Sequence, residues 1–106
     1  SPLRSMFWAV QGMAAELSTG ALIMHALHGS NTKASMLVIE NKATFSKKAV
    51  GRINFSCSQG EAVLNAIHAA KEANAPQKLW LHANGYDEAG EEVSSFSFLW
   101  TIKVKN

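Results

Sequence analysis

The chain has 106 residues, 47% hydrophobic and 17% charged, with two prolines and a net charge of +2. That length suits a single domain over residues 1–106, and the composition excludes a disordered chain. The Lys and Arg residues are spread along the sequence without a basic block, so neither nucleic acid nor an anionic membrane is expected as the main partner.

The first expected element is a helix over residues 3–27, rich in Ala, Leu and Met, with His25 and His28 near its end and Gly29 as its stop. Gly12 and Gly20 weaken such a helix by about 1 kcal/mol each, a cost usually accepted where another backbone or a ligand comes close. Residues 6–24 approach the length of a membrane span, but Gln11, Glu16, Ser18 and Thr19 interrupt them, so no span is expected. No other Asp, Glu, Lys or Arg stands between Arg4 and Lys33. If this helix lies in the core, Glu16 must be solvated, paired or useful.

The next stretch, SMLVIENKATF, opens as an aliphatic run and continues by alternation, as a strand buried at one end does. AVGRINFSCS puts Ile53, Phe55 and Cys57 on one side and Arg52, Asn54 and Ser56 on the other. SKKAVG joins the two, which predicts an antiparallel pair. Ser58 followed by Glu61 has the spacing of a capping box, and Val63, Ile67 and Ala70 give the following helix an apolar stripe that ends before Pro76. KLWLHANGY, DEAGEE and SFSFLWTIKV then form a long hairpin, with Leu79, Leu81 and Ala83 on one face and Phe96, Phe98, Trp100, Ile102 and Val104 on another. The order helix, strand, strand, helix, strand, strand is α+β, an antiparallel sheet curled around one apolar helix. Such a sheet leaves edges open, which favours pairing between subunits.

Cys57 is the single cysteine, so there is no internal disulfide and no Cys/His zinc set, and the cytoplasm is the default location. Cys57 alternates with apolar residues and reads as core. The opening SPLRSMFW has no basic and apolar leader pattern, and it lacks an initiator Met, as a processed or shortened chain would. His25 and His28 lack a third ligand in register, so they read as partners of the helix dipole and no metal is expected.

The helix SMFWAVQGMAAELSTG, the strand entering TFSKKAVG and the closing hairpin together resemble the hotdog-fold thioesterases. The likeness is strongest to the branch known as a domain of unknown function related to the phenylacetate-pathway thioesterases, and it covers nearly the whole chain. It implies a hotdog fold whose central helix is wrapped by the sheet, in a homo-oligomer that is at least a dimer. It also implies acyl-CoA or a similar thioester bound at the dimer interface, with no cofactor beyond the CoA of the substrate. Similar sequences carry at least one further strand before the helix, so the resemblance implies that N-terminal strand or strands are missing from this sheet.

On that resemblance Glu16 matches the carboxylate that attacks the thioester or activates a water, and hydrolysis needs such a group within hydrogen-bond reach of the reacting atom. Burial in an apolar helix disfavours a carboxyl's charged form, a tuning that general bases use. The structural alternative is a buried carboxylate held by a hydroxyl or a lysine. Thr19, three residues on, is placed to orient Glu16 or a water; Gln11 is further round and would approach from a neighbouring subunit. Both are expected at the catalytic site, although back-bonding to the preceding turn is the commoner use of a helix hydroxyl such as that of Thr19 or Ser18. Backbone amides near Met6 and Phe7 would polarise the thioester carbonyl. Lys47, Lys48 and Arg52, with Lys42, lie around a turn where CoA phosphates could dock. The family's paired glycines before the helix have no counterpart in PLRSMFW, which favours a second reading, a non-catalytic hotdog module that binds an acyl group or only dimerises. A third is a binding domain of the cystatin or nuclear-transport-factor type, in which Glu16 only lines a pocket.

Overall fold

A single helix, α1 (Pro2–Gly29), is 28 residues long, about 42 Å at 1.5 Å per residue. The molecule measures 44 × 26 × 17 Å, so α1 runs almost its full length. The computed structural model describes residues 2–49 and 51–105, with side chains from Trp8 onward. At its C-terminus the helix closes onto its last carbonyls, with Ser30 N donating to Ala26 O (3.1 Å) and Thr32 N to Leu27 O (2.8 Å). Asn31, at φ 50°, takes the left-handed position that this closure needs.

Four strands follow: β1 (Ala34–Phe45), β2 (Asn54–Ser56), then after α2 (Gly60–Ala73) the pair β3 (Gln77–Tyr86) and β4 (Glu92–Val104). They form one antiparallel sheet in the order β1-β4-β3-β2. The fold is therefore α+β with two helices on a four-stranded antiparallel sheet. Along β4 Ser94, Phe96, Phe98, Trp100 and Ile102 are buried, and the last four, with Leu81 and Ala83 of β3, meet Ala15, Ile23 and Leu27 of α1 and Val63 and Ile67 of α2 in one core. Each large apolar side chain buried this way contributes about 1.5–3 kcal/mol. The alternation expected for the hairpin strands is the alternation observed.

Strand β1 changes phase midway. Its register against β4 shifts between Val38 and Glu40, so Met36 and Val38 pack on the core before the bulge and Ala43 and Phe45 turn inward after it. An extra residue in one strand swaps the faces beyond it. That is why the sequence here passes from an aliphatic run into alternation.

Two expectations need correction. β1 and β2 do not pair with one another; they occupy opposite edges of the sheet, β1 beside β4 and β2 beside β3. The connection is tied across the end of the sheet instead. Ser46 N donates to Val93 O (2.9 Å), Lys47 forms an ion pair with Glu91, and Arg52 N donates to the Glu88 carboxylate (3.1 Å). Crossing three strand spacings takes about 14 Å, well within the reach of these residues.

The capping box is not formed either. The residue at the start of α2 is Gln59, with no side-chain cap. Its amide serves β3: Nε2 donates to Trp80 O (3.2 Å) and Oε1 accepts from His82 N (2.7 Å). β2 pairs only with residues 84–86 of β3, so Gln59 satisfies the edge groups that the short strand leaves bare.

Candidate functional site

Aromatic rings lie against Gly12 and Gly20 of α1, at distances a methyl group would tolerate. A Cβ on Gly12 would stand 3.6 Å from the Trp8 ring and 3.7 Å from Phe96, and one on Gly20 would stand 3.4 Å from the Trp100 ring. Beside Gly20, Thr19 is fully buried. Its hydroxyl accepts a hydrogen bond from Trp100 Nε1 (3.0 Å) and donates to Glu16 O (2.9 Å). The hydroxyl therefore holds the backbone turn that carries Glu16 and fastens it to β4, but it faces the core and does not reach out to the carboxylate.

Replacing Thr19 by Val keeps the shape and removes the acceptor, leaving the buried Trp100 N–H unpaired. We expect a loss of about 1–3 kcal/mol, read from the urea midpoint followed by Trp fluorescence.

Glu16 itself is exposed. The apolar surroundings expected for its carboxylate are not supplied by the chain's own core, and among the described residues the carboxylate has no hydrogen-bond or ion-pair partner. Met13, one turn before, and Leu17, its neighbour, are 67% and 70% exposed. Glu16 thus stands on the outer side of α1 at the border of an apolar surface. Ser18, by contrast, bonds back to Ala15 O (2.8 Å), the common use of a helix hydroxyl.

Gln11 faces the other way. Five residues correspond to about 140° around a helix, and Gln11 is buried, 5% exposed, with no partner for its Oε1 among the described residues. Within one chain the structure does not bring Gln11 and the Glu16 carboxylate together. A buried acceptor without a donor costs stability. Gln11→Met is therefore expected to raise stability by about 1 kcal/mol, a rise of a few degrees in Tm, measured by thermal melting.

Met6 and Phe7 lie outside the residues whose side chains are described. Lys48 and Arg52 are exposed at the β1–β2 connection, but their setting is not a plain cation cluster. Lys47 is paired with Glu91, and Glu88 closes on the Arg52 backbone. The acidic turn between β3 and β4 supplies those carboxylates, its own shape fixed by the buried Asp87 accepting from Ala89 N and Glu91 N. Lys42 is turned elsewhere, 4.9 Å over the Trp80 ring on the outer sheet face. On the same face His82 Nδ1 and Ser97 Oγ are 2.6 Å apart. Cys57 packs against the core, as its alternation predicts. His25 and His28 are exposed, and among the described residues no group of three His, Cys, Asp or Glu is placed to hold a metal ion. Among the same residues no helix is long and apolar enough to cross a membrane.

No family model matches the chain, and no curated protein matches it. Among solved structures, a protein of unknown function from Pseudomonas aeruginosa, named a probable thioesterase, has a similar fold. The TM-score is 0.61 at 22% identity, with 72% of this chain and 50% of that one covered. The chain spans half the length of that neighbour. At such identity the likeness shows the architecture alone: the two chains share a fold.

Proposed function

We propose that the chain is a hotdog-type module that hydrolyses acyl-CoA-like thioesters, with Glu16 as the reacting carboxylate. The observation that carries the reading is the position of Glu16: an exposed carboxylate, unpaired among the described residues, halfway along an apolar helix, at the border of exposed Met13 and Leu17, in a fold shared with a probable thioesterase.

As a general base Glu16 takes the proton of a water whose oxygen attacks the thioester carbon. The oxyanion so formed collapses, the carbon–sulfur bond breaks, and the thiolate leaves and is protonated, giving a carboxylic acid and free thiol. As a nucleophile its oxygen attacks the thioester carbon, the carbon–sulfur bond breaks and the thiolate leaves, and water then cleaves the mixed anhydride to give the carboxylic acid and return the Glu16 carboxylate. Exposed apolar side chains beside it suit an acyl chain, and Lys48 and Arg52 remain available to phosphates, whereas Lys47 is held by Glu91. Thr19 acts at one remove, by fixing the turn that bears Glu16.

A second copy completes this reading. β1 is a 12-residue strand with a free edge, on which Leu37 is 61% and Ile39 44% exposed. Edges of that length invite pairing, and continuation of the sheet through β1 into a second subunit is the proposed dimer.

One observation favours the non-catalytic alternative. Within the chain neither Gln11 nor Thr19 faces the Glu16 carboxylate, so an orienting partner must come from a second subunit. The test is release of free thiol from a panel of short, long and aromatic acyl-CoA esters. Selective turnover supports the proposal; acyl-CoA binding without turnover supports the binding module.

A further inference from the structure

The sheet has a second face, turned away from α1 and α2. In the register Trp80 lies opposite Leu99, and Ser97 lies between His82 on one side and Lys42 on the other. Alternate residues of a strand share a face, so β3 presents Lys78, Trp80, His82, Asn84 and Tyr86 outward in one row, about 20 Å long from Trp80 to Tyr86. Lys42 Nζ stands 4.9 Å over the Trp80 ring, so one side of the indole is open to the outside. The His82 ring is held by Ser97 Oγ (2.6 Å), and its backbone N donates to Gln59 Oε1 (2.7 Å). Tyr86 is 37% exposed. Three rings thus stand on one strand, with the Asn84 amide between the last two.

The same face gathers charge that the sequence scatters. Lys105 N donates to Lys33 O (2.8 Å), which extends the β1–β4 ladder by one step. Lys33 lies two residues before Ser35 and Lys105 two after Lys103, so both share the outward side of that pair. With Lys42, Lys78 and Lys103, half of the chain's ten Lys and Arg residues belong to this surface, and all five are exposed. Among the described residues its carboxylates are Glu40 and Glu92, the second engaged by Asn84 Nδ2. Ser95, Ser97 and Thr101 of β4 add hydroxyls along its middle. No block of basic residues is needed in the sequence, because strand pairing assembles one.

Exposed cations, rings and hydroxyls interleaved on a four-stranded sheet, with both helices behind it, complement an unpaired RNA strand. Rings stack on bases, lysines neutralise phosphates, and hydroxyl and amide groups bond base edges and 2′-hydroxyls. A duplex keeps its base faces stacked inside and cannot use the rings. We propose that the outer face of the sheet binds single-stranded RNA, with bases stacked on the row from Trp80 to Tyr86 and phosphates held by the lysines. Lys42 leaves the Trp80 ring to a base and takes a phosphate instead. Glu16 stands across the molecule, on the outer side of α1, so this binding is independent of whether the chain hydrolyses thioesters. Pairing through the β1 edge leaves the face open.

The test is fluorescence anisotropy of a labelled, unstructured RNA of about 12 nucleotides, titrated with the wild type and with variants checked for native circular dichroism. The wild type is expected to bind with a Kd of about 1–100 µM at physiological salt, and roughly 50-fold more tightly at about 50 mM than at about 200 mM salt for some four engaged phosphates. Trp80→Leu is expected to weaken binding by about 5- to 150-fold, the loss of one base–aromatic stack, whereas Trp80→Phe keeps a stacking ring and most of the affinity. Lys103→Glu combined with Lys105→Glu is expected to lower the log–log salt slope by about 1.4. Lys71→Glu, on α2 behind the sheet, is expected to change little. Absence of saturable binding at low salt, equal losses in Trp80→Leu and Trp80→Phe, or competition by duplex RNA as effective as by the single strand would overturn the proposal. A DNA strand of the same sequence is expected to bind more weakly, and equal binding would overturn the choice of RNA.

Discussion

Phe96→Ala is expected to destabilise the protein by about 3–5 kcal/mol, the range for removing a large ring from a packed core. Phe96 is 1% exposed and sits where four elements meet. Its ring lies 6.3 Å from that of Trp8 on α1, 5.7 Å edge-on to Phe45 of β1, 5.8 Å edge-on to Phe55 of β2, and 6.1 Å in a stack with Phe98 along its own strand. Truncation removes the ring's own burial and also one side of every aromatic pair, each worth about 0.5–1.5 kcal/mol beyond area. Neighbours held on four separate backbones cannot collapse together into the void, which keeps the cost at the upper end. Against a total stability of about 5–15 kcal/mol this is a large fraction. Urea unfolding followed by circular dichroism measures it. Phe45→Ala is the comparison: that ring is 45% exposed and should cost much less. Equal costs would mean that the cluster is not centred on Phe96.

What the sequence made legible follows the strength of its periodicities. From Phe96 to Ile102 of β4 and from Leu81 to Ala83 of β3 buried residues alternate with more exposed ones, so the core residues of the hairpin could be named in advance. The ends of α1 were marked by composition and Gly29. The face of α1 was not. A helix whose apolar residues run all the way round has no phase, and nothing in MFWAVQGMAAELSTG says that Gln11 points to the core while Leu17 and Glu16 point out. The pairing of β2 was lost because three residues of strand carry no register signal. The Ser58–Glu61 spacing predicted a cap, but the side chain actually used was that of Gln59, drawn to the bare edge of β3. Gly12 and Gly20 were visible as anomalies, and what lies against them, the rings of Trp8, Phe96 and Trp100, was not. For the candidate site, Glu16 stood out by being the lone carboxylate of its helix, while the buried hydroxyl of Thr19 and the inward turn of Gln11 required the packing of the sheet.

Glu16→Gln separates chemistry from architecture. Because Glu16 is exposed and its carboxylate is unpaired among the described residues, the isosteric amide should leave stability within about 0.5 kcal/mol of the wild type. If the carboxylate is the base or nucleophile, the same substitution should lower kcat by about 10²–10⁴-fold, or roughly 3–5 kcal/mol of barrier at about 1.4 kcal/mol per tenfold change. KM should move little, since the carboxylate acts on the reacting carbon rather than on the acyl chain or the nucleotide. Glu16→Asp refines the assignment. A general base one methylene shorter can still work through a water, whereas a nucleophile must itself reach the thioester carbon, so Asp should retain part of the activity in the first case and lose nearly all of it in the second. Thiol release at saturating and subsaturating acyl-CoA reads these differences, with unfolding midpoints measured on the same preparations. Undiminished turnover in Glu16→Gln would remove the carboxylate from the mechanism.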